Sequence, residues 1–293
     1  MSAERVSYGG QAVIEGVMIR GLHHYSLAVR RPNGEIHTEA SRLSGFYTGK
    51  LRKMPILRGI VVLAETLVIG IQALTRSANI AIEEEGQELS RWSMALMLAL
   101  SLGIGISLFF IAPLLAVRSL DSLIESDAVS NLAEGILRLG LLLGYITAIG
   151  RMADIKRVFA YHGAEHMTIH AYEHDVPLDA DHIRSYPTAH PRCGTAFLLV
   201  VMVVAILVFT FVGRPPLLIS IASRVVLVPL IAAISYEVIR FSGAHSNNPL
   251  VKFVVYPSLA LQKLTTRQPD DGQIEVAVCA LRHAMDVDNG VKP

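Results

Sequence analysis

The sequence predicts an α-helical polytopic membrane protein, with about four transmembrane helices, a re-entrant or interfacial helix, and a small cytoplasmic β unit at the N-terminus. Three observations carry this expectation. Hydrophobic residues make up 52% of the 293 and charged ones only 17%, with a mean hydropathy of +0.46, well to the apolar side of a soluble domain. Residues 93–117 and 194–213 hold no charged side chain, and each stretch is long enough to span roughly 30 Å of hydrocarbon. Near the N-terminus, Pro32-Asn33-Gly34 joins two strand-like runs, 25–31 and 35–41, with the chemistry of a tight hairpin turn.

In chain order, residues 1–53 are expected to form the β-rich unit, with 11–20 adding to the hairpin. Residues 54–92 open on an apolar run, 55–74, interrupted by Arg58 and Glu65 on nearly the same helical face. That run reads as a re-entrant or interfacial helix, followed by a charged linker. Residues 93–150 form the first transmembrane hairpin: 93–117 is bracketed by Arg91 and Arg118, and in 132–150 Glu134 and Arg138 stand one turn apart, able to pair near an interface. Residues 151–193 form a histidine-rich loop. Residues 194–239 form the second hairpin, turned at Arg214-Pro215-Pro216. Its return helix holds Arg224, expected to snorkel to the nearer surface, with Pro229 and Glu237 further on. The tail, 240–293, carries a short helix over 273–285, with Asp270 and Asp271 at its start.

Four crossings leave both termini on one side, and positive charge chooses the side. Eight Lys and Arg precede Pro55, and Arg151, Lys156, Arg157, Arg184 and Arg192 lie in the histidine-rich loop. Residues 118–131 hold one Arg against Asp121, Glu125 and Asp127. The positive-inside rule then puts both termini and that loop in the cytoplasm, with the bilayer of the inner membrane as the first partner. The polar start is read as no signal peptide. A net charge of +1 gives no reason to expect nucleic acid, and Cys193 and Cys279 are read as reduced thiols.

The chemistry is concentrated in His162-Gly163-Ala164-Glu165-His166. On a helix over 158–174, His162, Glu165, His166, Ile169, His170 and Glu173 follow one stripe, so two imidazoles share a face with a carboxylate beside them. The same order of residues defines the inverted zinc-protease motif. A catalytic zinc takes three protein ligands and an open position, so two histidines do not suffice. His190 or Cys193 in the following turn, His170, and Glu237 at the end of the last span are the candidates, with Glu237 or His190 preferred. Zinc is the divalent ion expected. Glu165 would accept the proton of the attacking water, and Arg192 would pair with a developing oxyanion or a phosphate.

Several stretches resemble a known family: residues 9–18, Gly9-Gly10-Gln11-Ala12-Val13-Ile14-Glu15-Gly16-Val17-Met18; Tyr161 to His166, continuing through Ile169-His170-Ala171-Tyr172-Glu173; His190-Pro191-Arg192-Cys193-Gly194-Thr195; and Thr265-Thr266-Arg267-Gln268-Pro269-Asp270-Asp271. In this order they are similar to the DUF1385 family of bacterial membrane proteins, over nearly the whole chain. The resemblance implies a metal-dependent enzyme without naming its reaction. Met167 stands where the family pattern has a lysine, on the side of the helix away from the ligand face.

Three function classes follow. The first is a metal-dependent hydrolase at the cytoplasmic membrane face, acting on a membrane-embedded protein or a lipid. The second is a non-catalytic scaffold or assembly factor with a structural ion. A transporter is the third, favoured by Arg224 and Pro229 but disfavoured by four crossings without an inverted repeat. His23, His24, His37 and His245 read as exposed polar residues, Glu15 as part of a glycine-flanked strand bend, and Cys279 as a small buried side chain.

Overall fold

The structure, a computed structural model, describes residues 6–82, 91–245 and 248–291. Strands β1 (Gly9–Val13), β2 (Gly16–Arg20), β3 (His24–Arg30) and β4 (Ile36–Arg42) form an antiparallel sheet in the order β1-β2-β3-β4. The predicted hairpin is there: Gly34 sits at φ 89°, and Asn33 Oδ1 accepts the Glu35 N–H at 2.9 Å. The middle strands are apolar on both faces, with Val17, Ile19 and Ala28 on one and Met18, Leu27 and Val29 on the other. Such a sheet needs a cover on each side.

Helix α1 (Leu57–Ala81) covers one face, where Ile69, Ala73 and Ile80 join the cluster of Val13, Met18, Leu27 and Val29. Glu65, which interrupts the apolar run, is buried and paired with Arg20 of β2 and with Arg52, so it ties this helix to the sheet. The other face is covered by α4 (Ala153–Glu173) and α9 (Asp271–Asp288), through Tyr161, Ala164 and Met167 and through Ile274, Ala277 and Leu281. The turn before α9 is a capping box: Asp270 accepts the Gln273 N–H at 2.8 Å and donates its own N–H to the Gln273 side chain at 3.0 Å.

The remaining long helices are α2 (Trp92–Arg118), α3 (Asp127–Ile149), α5 (Gly194–Val212), α6 (Leu217–Val226), α7 (Val228–Ala244) and α8 (Pro249–Thr265). Among the described residues α1, α2, α3 and α5 are long and apolar enough to cross a membrane, and α6 with α7, bent by 44°, would make a fifth. The run at 55–74 belongs to a 25-residue helix of spanning length, half of which lies on the sheet. The last candidate span is bent at Leu227, just before Pro229, whose ring removes a backbone donor.

Arg224 does not snorkel. It is 3% exposed and turns inward to Glu134 of α3, whose carboxylate also holds Arg138. Pairing inside the bundle satisfies the guanidinium where apolar surroundings would not. Opposite, α2 passes through a π-helical turn, Ser107–Ile111, and the Phe109 carbonyl accepts from Arg138 Nε at 2.8 Å.

Candidate functional site

Helix α4 presents His162, Glu165 and His166 to a cavity of about 330 Å³, walled also by the start of β1 and by the residues leading into α5. Gly163 makes the arrangement possible. A Cβ there would lie 2.1 Å from the Arg267 carbonyl oxygen, so only glycine lets the chain leaving α8 press against this helix. Arg267 N–H then donates to the Phe159 carbonyl at 2.9 Å, and the Thr265 carbonyl comes within 2.9 Å of His162 Nδ1. On the next turn His166 Nδ1 lies 2.7 Å from the Thr188 carbonyl. A carbonyl can only accept, so we assign the proton of each ring to Nδ1, which leaves both Nε2 lone pairs free.

Those lone pairs face a third donor. Cys193 Sγ is 3.3 Å from His162 Nε2, and one ligand atom from each of His162, His166 and Cys193 lies within 4.8 Å of the others. With metal–nitrogen bonds of about 2.0 Å and a metal–sulfur bond of about 2.3 Å, three such atoms must gather at this scale. Cys193 is fixed as the N-cap of α5, accepting the Thr195 N–H at 3.3 Å, with Thr195 Oγ1 2.7 Å away.

The protonation states follow from burial. Desolvation brings His166 down to about 4 and lowers His162, whose neighbour His166 pushes the same way. Both imidazoles are therefore neutral near pH 7, the form in which a ring nitrogen can ligate a cation. Burial pushes the Cys193 thiol up to about 11, so it ionises only beside a cation. Glu165 is 4% exposed, and desolvation raises its carboxyl above the usual range, opposed by nearby His162 and by the Gly10 N–H. Its carboxylate sits 3.4 Å from His166 Nε2. A Cβ at Gly10 would approach Glu165 Cγ to 3.0 Å and the Met18 carbonyl oxygen to 2.5 Å, so glycine admits the acid here too.

The other expected site residues divide. His190 lies beside the trio without joining it, its ring 5.8 Å from that of His166 and 4.4 Å from that of His170. Its Nδ1 accepts the Arg192 N–H at 3.2 Å and its Nε2 faces Glu173 at 3.3 Å, so both nitrogens are engaged. His170, Glu173 and His190 form a second close group. Arg192 reaches the cavity wall but is held by Glu173 and by Ser7 Oγ at 3.1 Å. Glu237 is corrected outright: Arg58 grips its carboxylate and the Ile56 N–H adds a bond at 3.1 Å, away from the histidines. Glu15 pairs with Arg157 rather than entering the cavity, His37 lies 3.2 Å from Glu39, and His245 ends α7.

Sequence reasoning missed the residues that orient these side chains. Thr188 and Thr265 act through backbone carbonyls. Buried Gln262 clamps the His190 backbone, accepting its N–H at 2.8 Å and donating to its carbonyl at 2.9 Å. The Thr265-Thr266-Arg267 run was itself one of the family-like stretches, which is the signal that pointed at this wall.

No solved structure matches this chain. The "Uncharacterized protein YqhQ" of Bacillus subtilis (strain 168) is 36% identical over 296 residues, covering 95% of this chain and 92% of the relative. Residues 54–287 match the family described as "Protein of unknown function (DUF1385)". Family match, near full-length relative and ordered motifs agree, and the chain belongs to the DUF1385 family.

Proposed function

We propose that this protein is a membrane-bound, metal-dependent hydrolase, with a zinc ion held by His162, His166 and Cys193 and with Glu165 as its proton carrier. The observation that carries the reading is the pair of Nδ1–H···O=C bonds to Thr265 and Thr188, which turn two Nε2 atoms toward one thiol beside a buried carboxylate. Metal-ligating histidines are oriented in this manner, and a nitrogen–sulfur donor set suits zinc. Three protein donors leave a fourth position for water or substrate.

When bound, zinc supplies Lewis acidity toward a carbonyl or phosphoryl oxygen and makes water a stronger acid. Glu165, its proton affinity raised by burial, takes the proton of the attacking water and returns it to the leaving group. The Gly10 N–H keeps that carboxylate in place. Arg192, anchored by Glu173, lends positive charge to the wall where an oxyanion or phosphate would develop.

Packing supports one orientation in the bilayer. The sheet, α4 and α9 share one core, so they lie on one side. An even number of crossings must separate the sheet from α4. Because α1 spends its C-terminal half on the sheet, α2 and α3 make that pair, with α1 interfacial. α5 and the bent α6–α7 make the second pair. The basic residues before Pro55 and after Gly150 support the cytoplasm for this side.

A structural ion is the competing reading, favoured because the donors join α4 to the start of α5 next to the end of α8. Elemental analysis of detergent-purified protein decides between them, together with turnover of p-nitrophenyl acetate, p-nitrophenyl phosphate and labelled casein. One zinc per chain is expected in wild type and in Glu165→Gln, and far less in His162→Ala. Turnover should fall at least 100-fold in Glu165→Gln. Metal-free wild type overturns both readings, and equal turnover with retained metal overturns catalysis.

A further inference from the structure

A second cavity lies between α2 and the α6–α7 break. It has about 360 Å³ and is built from two helix irregularities: the π-helical turn of α2 contributes Phe110 and Ile111, and the break contributes Val228 and Pro229. Its walls are apolar except for one charged side chain, Arg224.

The charges behind that wall do not balance. Arg224 and Arg138 are 3% and 2% exposed, and the ion pairs of both run to the single carboxylate of Glu134. Among the described residues the cluster therefore holds two guanidiniums, which do not deprotonate in proteins, against one carboxylate. Aromatic faces absorb part of the excess: Phe209 lies 4.3 Å from Arg224 Cζ, and Phe110 lies 5.3 Å from Arg138 Cζ. One buried positive charge remains without a partner ion, a costly arrangement in apolar surroundings unless an anion completes it.

The depth and the opening describe that anion. Glu134 and Arg224 each stand seven residues past the first residue of their helices, α3 and α6, or roughly 10 Å below the helix ends. The rim residues Leu102 and Val225 are 65% and 60% exposed, so the cavity is entered from the hydrocarbon rather than from water. We propose that this cavity binds a long-chain carboxylate, its acyl chain along Leu102, Ile106 and Val225 and its head group on Arg224. This site is independent of the histidine cavity and of any ion there.

The test uses delipidated full-length protein in a nonionic detergent, with displacement of cis-parinaric acid by oleate, oleyl alcohol and phosphatidylglycerol. Oleate is expected to bind at least tenfold more tightly than oleyl alcohol. Arg224→Gln leaves a neutral Glu134–Arg138 pair, which favours folding of the variant, and should weaken oleate tenfold or more while leaving the alcohol unchanged. Arg224→Lys should retain part of the preference. Leu102→Trp, which narrows the rim without altering charge, should weaken both ligands and carries the test if Arg224→Gln does not fold. Phosphatidylglycerol outcompeting oleate overturns the carboxylate in favour of a phospholipid phosphate. Equal binding of oleate and oleyl alcohol, or oleate binding unchanged in Arg224→Gln, overturns the site.

Discussion

Replacing Gly163 with alanine tests the architecture of the histidine cavity without touching a donor atom. The added methyl would sit 2.1 Å from the Arg267 carbonyl oxygen and 3.3 Å from Thr188 Cγ2, so the chain at 265–267 must retreat by about 1.3 Å to reach ordinary contact at 3.4 Å. Two hydrogen bonds depend on that chain, Arg267 N–H to the Phe159 carbonyl and His162 Nδ1–H to the Thr265 carbonyl. Their loss costs about 1 kcal/mol each, and the displacement adds about 1–3 kcal/mol of strain. Alanine's better helix propensity returns about 1 kcal/mol, so a net destabilisation of about 2–4 kcal/mol is expected. Loss of the carbonyl behind His162 should also weaken zinc by about 10- to 100-fold. Chelator competition on purified protein, paired with thermal melts followed by circular dichroism, reads both effects. Wild-type zinc affinity together with a wild-type melting temperature would refute the reasoning, because the carbonyl would then not be orienting the ring.

Three further outcomes follow from the same geometry. Since burial brings His166 to about 4, the unfolded chain takes up a proton first as pH falls below about 6.5, and metal-free protein should lose about 3 kcal/mol between pH 6.5 and 4. Denaturant titrations of chelator-treated protein at several pH values check this, and a flat profile over that window contradicts it. Gln262→Ala leaves the buried His190 N–H and carbonyl without their partners and should cost about 2–5 kcal/mol in denaturant titrations; an unchanged unfolding midpoint contradicts it. Cysteines introduced one at a time at Glu125 and at His23, in a Cys279→Ser background whose remaining Cys193 serves as the unlabelled-parent control, should react with an impermeant maleimide from opposite faces of sealed vesicles. Labelling from one face would break the proposed crossing pattern.

Much was written locally. The strand-like runs of β3 and β4, the Pro32-Asn33-Gly34 turn between them, Asp270 and Asp271 at the start of the tail helix, and the apolar runs of α2 and α5 each depend on neighbours within a few residues, and each is found where the sequence puts it. The convergence of His162 and His166 on one face belongs to this class, because helical periodicity alone brings them together. The candidate third donor does not. Cys193, His190 and Glu237 are all chemically suited, and no local rule ranks them. The ranking comes from packing: Arg58 takes Glu237, Arg192 N–H and Glu173 occupy the two nitrogens of His190, and Cys193 is left facing the imidazoles.

The amino-acid sequence by itself determined the elements, the membrane-like composition and the two-histidine face, since these arise from side-chain hydropathy and short-range periodicity. Tertiary structure alone decided that α1 covers the sheet, that Arg224 turns toward Glu134, and that the carbonyls of Thr188 and Thr265 set the histidine tautomers. The physical reason is that every residue owns a carbonyl and many own a charge. Which of them meet is fixed only when distant segments share one core and each buried donor must find an acceptor.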